Sequence, residues 1–285
     1  TMASVTQRIK EIKQPYGGYV KPRLFETTEL GATDPLNEKE NIHASIIGLA
    51  VDYMTRFCMG ESAEDAFRIS LLGAEYAYQL VPLAKESSSN YIKSIKGLDD
   101  QSIISACNLV QYDIFYRNTA AAMATGYRCI TPDNATIQNI RIMVQRSLHF
   151  FDIYGKITCD GFDFTPENEN LTDLMDFIFG GKQYGGYTTA VHSGDGDFLT
   201  EDTLWDFKVS KGKPTSKHTL QLLMYWIMGQ HSGKKIFEDI TKIGIYNPRL
   251  DTVYRLDISQ IPEDTIRTVE RDVIGYKDVI CYKIG

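Results

Sequence analysis

Between Gly194 and Ser210 the chain reads GDGDFLTEDTLWDFKVS. Asp195, Asp197, Glu201, Asp202 and Asp206 crowd into this stretch before Lys208. With Glu201 and Asp202 at the tip of a β-hairpin, Thr200 faces Thr203, Asp197 faces Asp206, and Asp195 faces Lys208. Residues two apart on a strand share a face. Asp195, Asp197, Asp206 and Lys208 therefore point one way, and Trp205, Phe207 and Val209 point the other, toward a core. Directly opposed side chains have Cβ atoms about 4.5–5.5 Å apart, where like charges are destabilising. Asp197 against Asp206 thus predicts a cation between them, and oxygen-only ligation suits Mg²⁺ or Mn²⁺ rather than zinc. The spacing D-x8-D-x-K also fits a solvated acidic hairpin, with Asp195 and Lys208 as a surface ion pair of little energy. Glu201 and Asp202 read as exposed turn residues.

The elements around the hairpin must position these groups. A helix is predicted from about Ser216 to Met228, stopped by Gly229. Its buried face is Leu220, Leu223, Met224 and Ile227, at i, i+3, i+4, i+7. Lys217, Gln221 and Tyr225 form an i, i+4, i+8 stripe beside that face. YTTAVHS, DGDFLT and TLWDFKVS read as short strands broken by glycines and acidic turns. KIGIYN and TVYRLDI read as later strands, and PEDTIRTVERDVI as a closing helix. Upstream the texture is helical. Ser4 with Gln7 forms a capping box that opens a short helix, stopped by QPYGGY. Further helices are expected from about Asn41 to Cys58, from Ser62 through Phe67, Leu71 and Tyr78, along Ile103 to Ile114, and from about Asn134 to Tyr154. AKESSSN reads as a polar loop and CDGFDFTPENENLTD as a long irregular stretch.

Composition excludes several classes. The chain has 285 residues, 43% hydrophobic and 24% charged, as expected for a globular protein. No apolar run reaches the length of a membrane span, and TMASVTQRIKEIKQ lacks a secretory apolar region. Thr1 before Met2 reads as a processing or cloning scar. The five cysteines are scattered and never spaced as CxxC, which argues against a disulfide framework or a zinc site and suits a reducing cytoplasm. Without an export signal, the sequons NAT at 134 and NLT at 170 read as chance. A net charge of -7 offers no global attraction to nucleic acid. KVSKGKPTSKH, with Lys208, Lys211, Lys213, Lys217 and His218, concentrates positive charge beside the hairpin; taken alone it reads as a solvated loop.

GDGD, then WDFK, then QLLMY resembles the PD-(D/E)XK nuclease superfamily, in particular its RecB-like exonuclease branch, which combines an Asp, a (D/E)xK strand and a QxxxY helix. The matched motifs cover about the last third of the chain plus one helix. The resemblance implies an α/β fold: a mixed central β-sheet flanked by helices, with a restriction-endonuclease-like αβββαβ core and helical additions. It implies one domain over 1–285, with the catalytic hairpin and helix at about 186–230 and a helical insert at about 85–180. It makes Asp197 and Asp206 metal ligands together with the Phe207 carbonyl, and Lys208 the catalytic lysine. Gln221 and Tyr225 become the helix pair that positions substrate, with Lys211, Lys213 and Lys217 holding phosphates. In the family an earlier helix adds a site residue, often within G-x-x-x-H. Here GLAVD keeps Gly48 and sets Asp52 where the histidine would stand. Asp52 can ligate Mg²⁺ or pair with Arg56 at i, i+4; Glu75 is a weaker substitute. The cysteines do not fit the four-cysteine iron–sulfur cluster of some relatives. The implied function is a cytoplasmic Mg²⁺- or Mn²⁺-dependent exonuclease acting on DNA, with no membrane partner. The alternatives are a non-catalytic nucleic-acid-binding or scaffolding module of the same fold, and a restriction-type endonuclease.

Overall fold

The computed structural model describes residues 3–278 and 280–282, so Thr1 and Met2, and the expected scar, lie outside the described residues. The chain divides into two units. One comprises Thr1–Leu30, Ile153–Asn247 and Thr252–Gly285; the other comprises Gly31–Asp152 and Pro248–Asp251.

The first unit holds all the described strands: β1 (Ala3–Ser4), β2 (Glu26–Glu29), β3 (Cys159–Phe162), β4 (Val191–Ser193), β5 (Gly196–Leu199), β6 (Thr203–Phe207), β7 (Lys242–Asn247) and β8 (Thr252–Asp257). Six form a mixed sheet in the order β2-β8-β7-β6-β5-β3, while β1 pairs in parallel with β4. Within the larger sheet only β6 and β7 run parallel. A parallel pair needs a crossover, commonly helical, and here the Ser216–Ser232 helix supplies it.

That helix opens with a capping box between Thr215 and His218 and ends at Gly233, whose φ of 72° is left-handed. The expected stop at Gly229 lies inside the helix. A Cβ there would come within 2.5 Å of the Phe237 ring, so Gly229 serves close packing rather than termination. Leu220, Leu223, Met224 and Ile227 are fully buried as predicted, but so are Leu222 and Met228. The helix is covered on more than one side, and the Trp226 indole N–H donates to the Ile240 carbonyl at 2.8 Å.

Two stretches differ from the sequence expectation. CDGF, read as irregular, is the edge strand β3, paired antiparallel with β5. Phe162 lies against Phe164, Tyr225 and Phe237. Downstream, Leu171–Gly180 is a helix capped by the Asn170 side chain and closed by Gly181 at φ 63°. In the second unit AKESSSN begins the Ala84–Ser94 helix rather than a loop. Ala84, Ser88 and Ile92 are its buried stripe at i, i+4, i+8. Serine's middling helix propensity is overridden by that burial.

The second unit is helical. Its principal helices are Ala44–Cys58, Arg68–Ala77, Ala84–Ser94, Asp100–Leu109 and most of Asn134–Tyr154. No helix among the described residues is long and apolar enough to cross a membrane.

Candidate active site

Phe198 stands opposite Trp205 and Leu199 opposite Leu204, and the Thr200 N–H donates to the Thr203 carbonyl at 3.0 Å. This is the register required by a Glu201–Asp202 tip. Phe198 and Trp205 stack at 6.4 Å on one face of the sheet. Leu199 and Leu204 lie on the other, in the core shared with Leu220, Leu223 and Ile227 of the Ser216–Ser232 helix. Asp197 and Asp206 sit two residues from Leu199 and Leu204, hence on that same face. They lie under the helix, and Asp206 is only 5% exposed.

Two carboxylates in such a place need compensation. Asp197 Oδ2 accepts the Phe207 N–H at 2.6 Å. The Lys208 ammonium donates to Asp206 Oδ1 at 3.0 Å. Burial disfavours the Lys208 charge, but Asp206 and Asp197 outweigh it, so its pKa is raised and the ammonium stays protonated at neutral pH. Asp206 Oδ2 is buried with no hydrogen-bond partner among the described residues. The expected cross-strand pairing of Asp195 with Lys208 falls beyond the ladder, because β5 begins at Gly196 and β6 ends at Phe207. Past that point the Lys208 N–H bonds instead to the Tyr246 carbonyl, following β7.

The helix completes the cluster. Gln221 Nε2 donates to the Tyr225 hydroxyl at 2.9 Å. Tyr225 is buried, with its ring 5.5 Å from that of Phe164. Burial raises its pKa, and the charges of Asp206, Asp197 and Asp195 raise it further, so all three carboxylates act on this one hydroxyl. Lys217, expected in the stripe, is exposed. His218 is half-buried and shares the Gln221 and Tyr225 face at i, i+3, i+7. Its Nδ1 accepts the Thr215 N–H at 3.2 Å, which leaves a neutral ring's proton on Nε2. Burial lowers the His218 pKa, as does Lys208, against the opposing effect of Asp206. It therefore adds no positive charge at neutral pH, contrary to the expectation that grouped it with the lysines of KVSKGKPTSKH. The signals for its place in the site were the capping spacing from Thr215 and the i, i+3, i+7 phase.

Of the remaining expected residues, Lys211, Lys213 and Lys217 are exposed, and none of the three makes an ion pair among the described residues. Asp202 pairs with Lys242, and Glu201 is exposed. Asp52 and Glu75 belong to the second unit. Asp52 accepts from Arg56 Nε at 3.0 Å, the pairing its i, i+4 spacing allowed, and Glu75 pairs with Lys85 at 2.5 Å. The cysteines are free.

Among the described residues no group of three or more His, Cys, Asp or Glu side chains is arranged to hold a metal. A two-carboxylate site nevertheless fits a small hard cation. Mg²⁺ keeps several waters and is often held by one or two carboxylates. Asp197, Asp206 with its unpartnered Oδ2, and the Phe207 carbonyl make an oxygen-only donor set of that kind. Comparison with protein-family models, curated proteins and solved structures returned no match.

Proposed function

We propose that this chain is a divalent-metal-dependent nuclease that hydrolyses phosphodiester bonds of DNA, most simply as an exonuclease. The observation that carries the reading is buried Asp206 beside half-buried Asp197, on one sheet face with Lys208, with one Asp206 oxygen lacking a partner among the described residues. Chain order supports it too. The antiparallel run β3, β5, β6, then the Ser216–Ser232 helix, then β7 parallel to β6, follows the βββαβ order of a restriction-endonuclease-like core.

Asp197, Asp206 and the Phe207 carbonyl would hold Mg²⁺ or Mn²⁺. When bound, such an ion supplies Lewis acidity and lowers the pKa of a coordinated water. Lys208 is a fixed positive charge at the reacting phosphate. Its raised pKa suits electrostatic stabilisation of the pentacovalent phosphorus rather than proton abstraction. Gln221 and Tyr225 orient the scissile strand, His218 offers an Nε2–H donor to a phosphate oxygen, and Lys211, Lys213 and Lys217 attract the polyanion.

A non-catalytic binding module is the competing reading, favoured by the Lys208–Asp206 ion pair, which already neutralises one carboxylate. Digestion of end-labelled linear and closed circular DNA with Mg²⁺, Mn²⁺ or EDTA decides between them. An exonuclease degrades the linear form only, and only with metal. Protein inert on every DNA and RNA form with either ion would establish the binding module.

A further inference from the structure

The turn QPYGGY, which ends the first helix, takes no part in the chemistry above, yet it is docked on the first turn of the site helix. The Gly18 N–H donates to the Pro15 carbonyl at 2.8 Å, and Gly17 has φ 81° at the position where a type II turn requires a positive value. Gln14 clamps this turn. Its Oε1 accepts the Tyr19 N–H at 3.3 Å, while its Nε2 donates to the Ser216 carbonyl at 3.2 Å. Gly18 lies so close to the helix that a Cβ would meet the Ser216 Cβ at 2.4 Å. Thr219 Oγ1 donates to the Val20 carbonyl at 2.6 Å. So fixed a turn carries Tyr16 at its tip, at 102% exposure. Among the described residues the Tyr16 ring has no hydrogen bond and no ring neighbour. Lysines flank the turn. Lys13 is exposed one residue before the clamp, and the Lys21 stem lies 3.6 Å from where a Gly17 Cβ would be. Lys217 adjoins Ser216, the residue to which Gln14 is bonded.

We propose that the Pro15–Gly18 turn is a stacking post for an unpaired base of single-stranded nucleic acid, with Lys13, Lys21 and Lys217 holding the phosphates on either side. This rests on the nuclease reading and names the form of its substrate. A protein partner would need about 800 Å² per side, far more than one tyrosine on a glycine turn presents. A nucleobase needs only a ring face, and duplex bases have theirs covered by their neighbours. The clamp holds the backbone of the turn in place before binding, so only the Tyr16 side chain has to be ordered when a base stacks.

The test is fluorescence anisotropy in EDTA, which prevents cleavage. The probes are a labelled single-stranded DNA, its duplex, and an abasic strand of equal length. Tyr16→Ala should weaken binding of the base-bearing strand by roughly 5- to 150-fold, as expected for the loss of one base–aromatic stack. It should leave the duplex and abasic strand unchanged, and its thermal melt should match wild type. Tyr16→Phe should bind like wild type. Lys13→Gln with Lys21→Gln should weaken both single strands and flatten the salt dependence. Wild-type affinity in Tyr16→Ala overturns the proposal, as does an equal loss on the abasic strand. If wild type still cleaves DNA with metal, the turn alone is refuted and the nuclease reading stands. Tyr16-dependent binding without any cleavage supports the turn and refutes the nuclease. Wild type that binds no strand overturns the turn as well.

Discussion

Lys208→Met separates a lysine that serves chemistry from one that only neutralises Asp206. Methionine keeps an unbranched apolar stem and removes the charge. At 3.0 Å and an effective dielectric of about 20, the Lys208–Asp206 attraction is about 5 kcal/mol before desolvation is subtracted. Removing one partner of a buried pair costs about 3–5 kcal/mol. The Lys208 side chain is 31% exposed, so solvent screening brings the cost below that range, to about 2–3 kcal/mol in EDTA. The same deletion leaves Asp197 and Asp206 without the lysine's charge and makes the site a better cation trap. Mg²⁺ binding should tighten by about tenfold or more, the equivalent of about 1.4 kcal/mol, and saturating Mg²⁺ should recover most of the missing stability. Cleavage should nonetheless fall by about 10²–10⁴-fold, because the group facing the phosphate is gone. Asp206→Asn is the counterpart. It removes an anionic ligand, so metal affinity and cleavage should disappear together. The assay combines isothermal titration with Mg²⁺, melts with and without metal, and single-turnover cleavage. Unchanged Mg²⁺ affinity in Lys208→Met would refute the placing of the cation beside Asp206. An unchanged cleavage rate would refute the catalytic role of Lys208.

Three further outcomes follow from the same geometry. Changing Lys211, Lys213 and Lys217 together to Ala should weaken DNA binding and reduce the salt slope by roughly 0.7–0.9 for each phosphate no longer neutralised; an unchanged slope moves the polyanion elsewhere. Burial and Lys208 hold the His218 pKa below its usual value, so the unfolded chain takes up its proton first as pH falls. The stability contributed by neutral His218 is therefore complete above about pH 6.5 and declines as pH falls through the lower folded value. Denaturant melts of His218→Gln should show a shallower loss than wild type as pH falls below about 6.5, and parallel curves would contradict the assignment. In Gly244→Ala the new Cβ would meet the Trp205 ring at 2.4 Å. It should destabilise by about 1–3 kcal/mol through overpacking, and a melt equal to wild type would show that the hairpin and β7 are packed differently.

The hairpin register is legible because it rests on local rules. Two charged residues make the tip, period two does the rest, and Phe198 against Trp205 lands where counting puts it. One buried face of the Ser216–Ser232 helix is legible for the same reason, since Leu220, Leu223, Met224 and Ile227 lie at helical spacing, whereas the burial of Leu222 and Met228 on a further side is not. What is not legible depends on partners distant in sequence. β3 hides behind Asp160 and Gly161 and is a strand only because β5 is there to pair with it. Ala84–Ser94 reads as loop from its serines and is helix because Ala84, Ser88 and Ile92 find a buried surface. The difference between Lys217 and His218 in the stripe is one step of helical phase, about 100°, which only the packed helix decides. The burial of Asp206 follows from the same cause. The sequence assigns a core to the Trp205 side of β6 alone, whereas the opposite side is covered by the crossover helix, so neither face of the strand is open. A solvated acidic hairpin would disperse its repulsion into water. Asp206 has little water and Asp197 only part of its surface in it; their charge is met by the Phe207 amide and by Lys208, while the remaining Asp206 oxygen has no partner among the described residues. That remaining oxygen, more than the motif spelling, is what the proposed cation would meet.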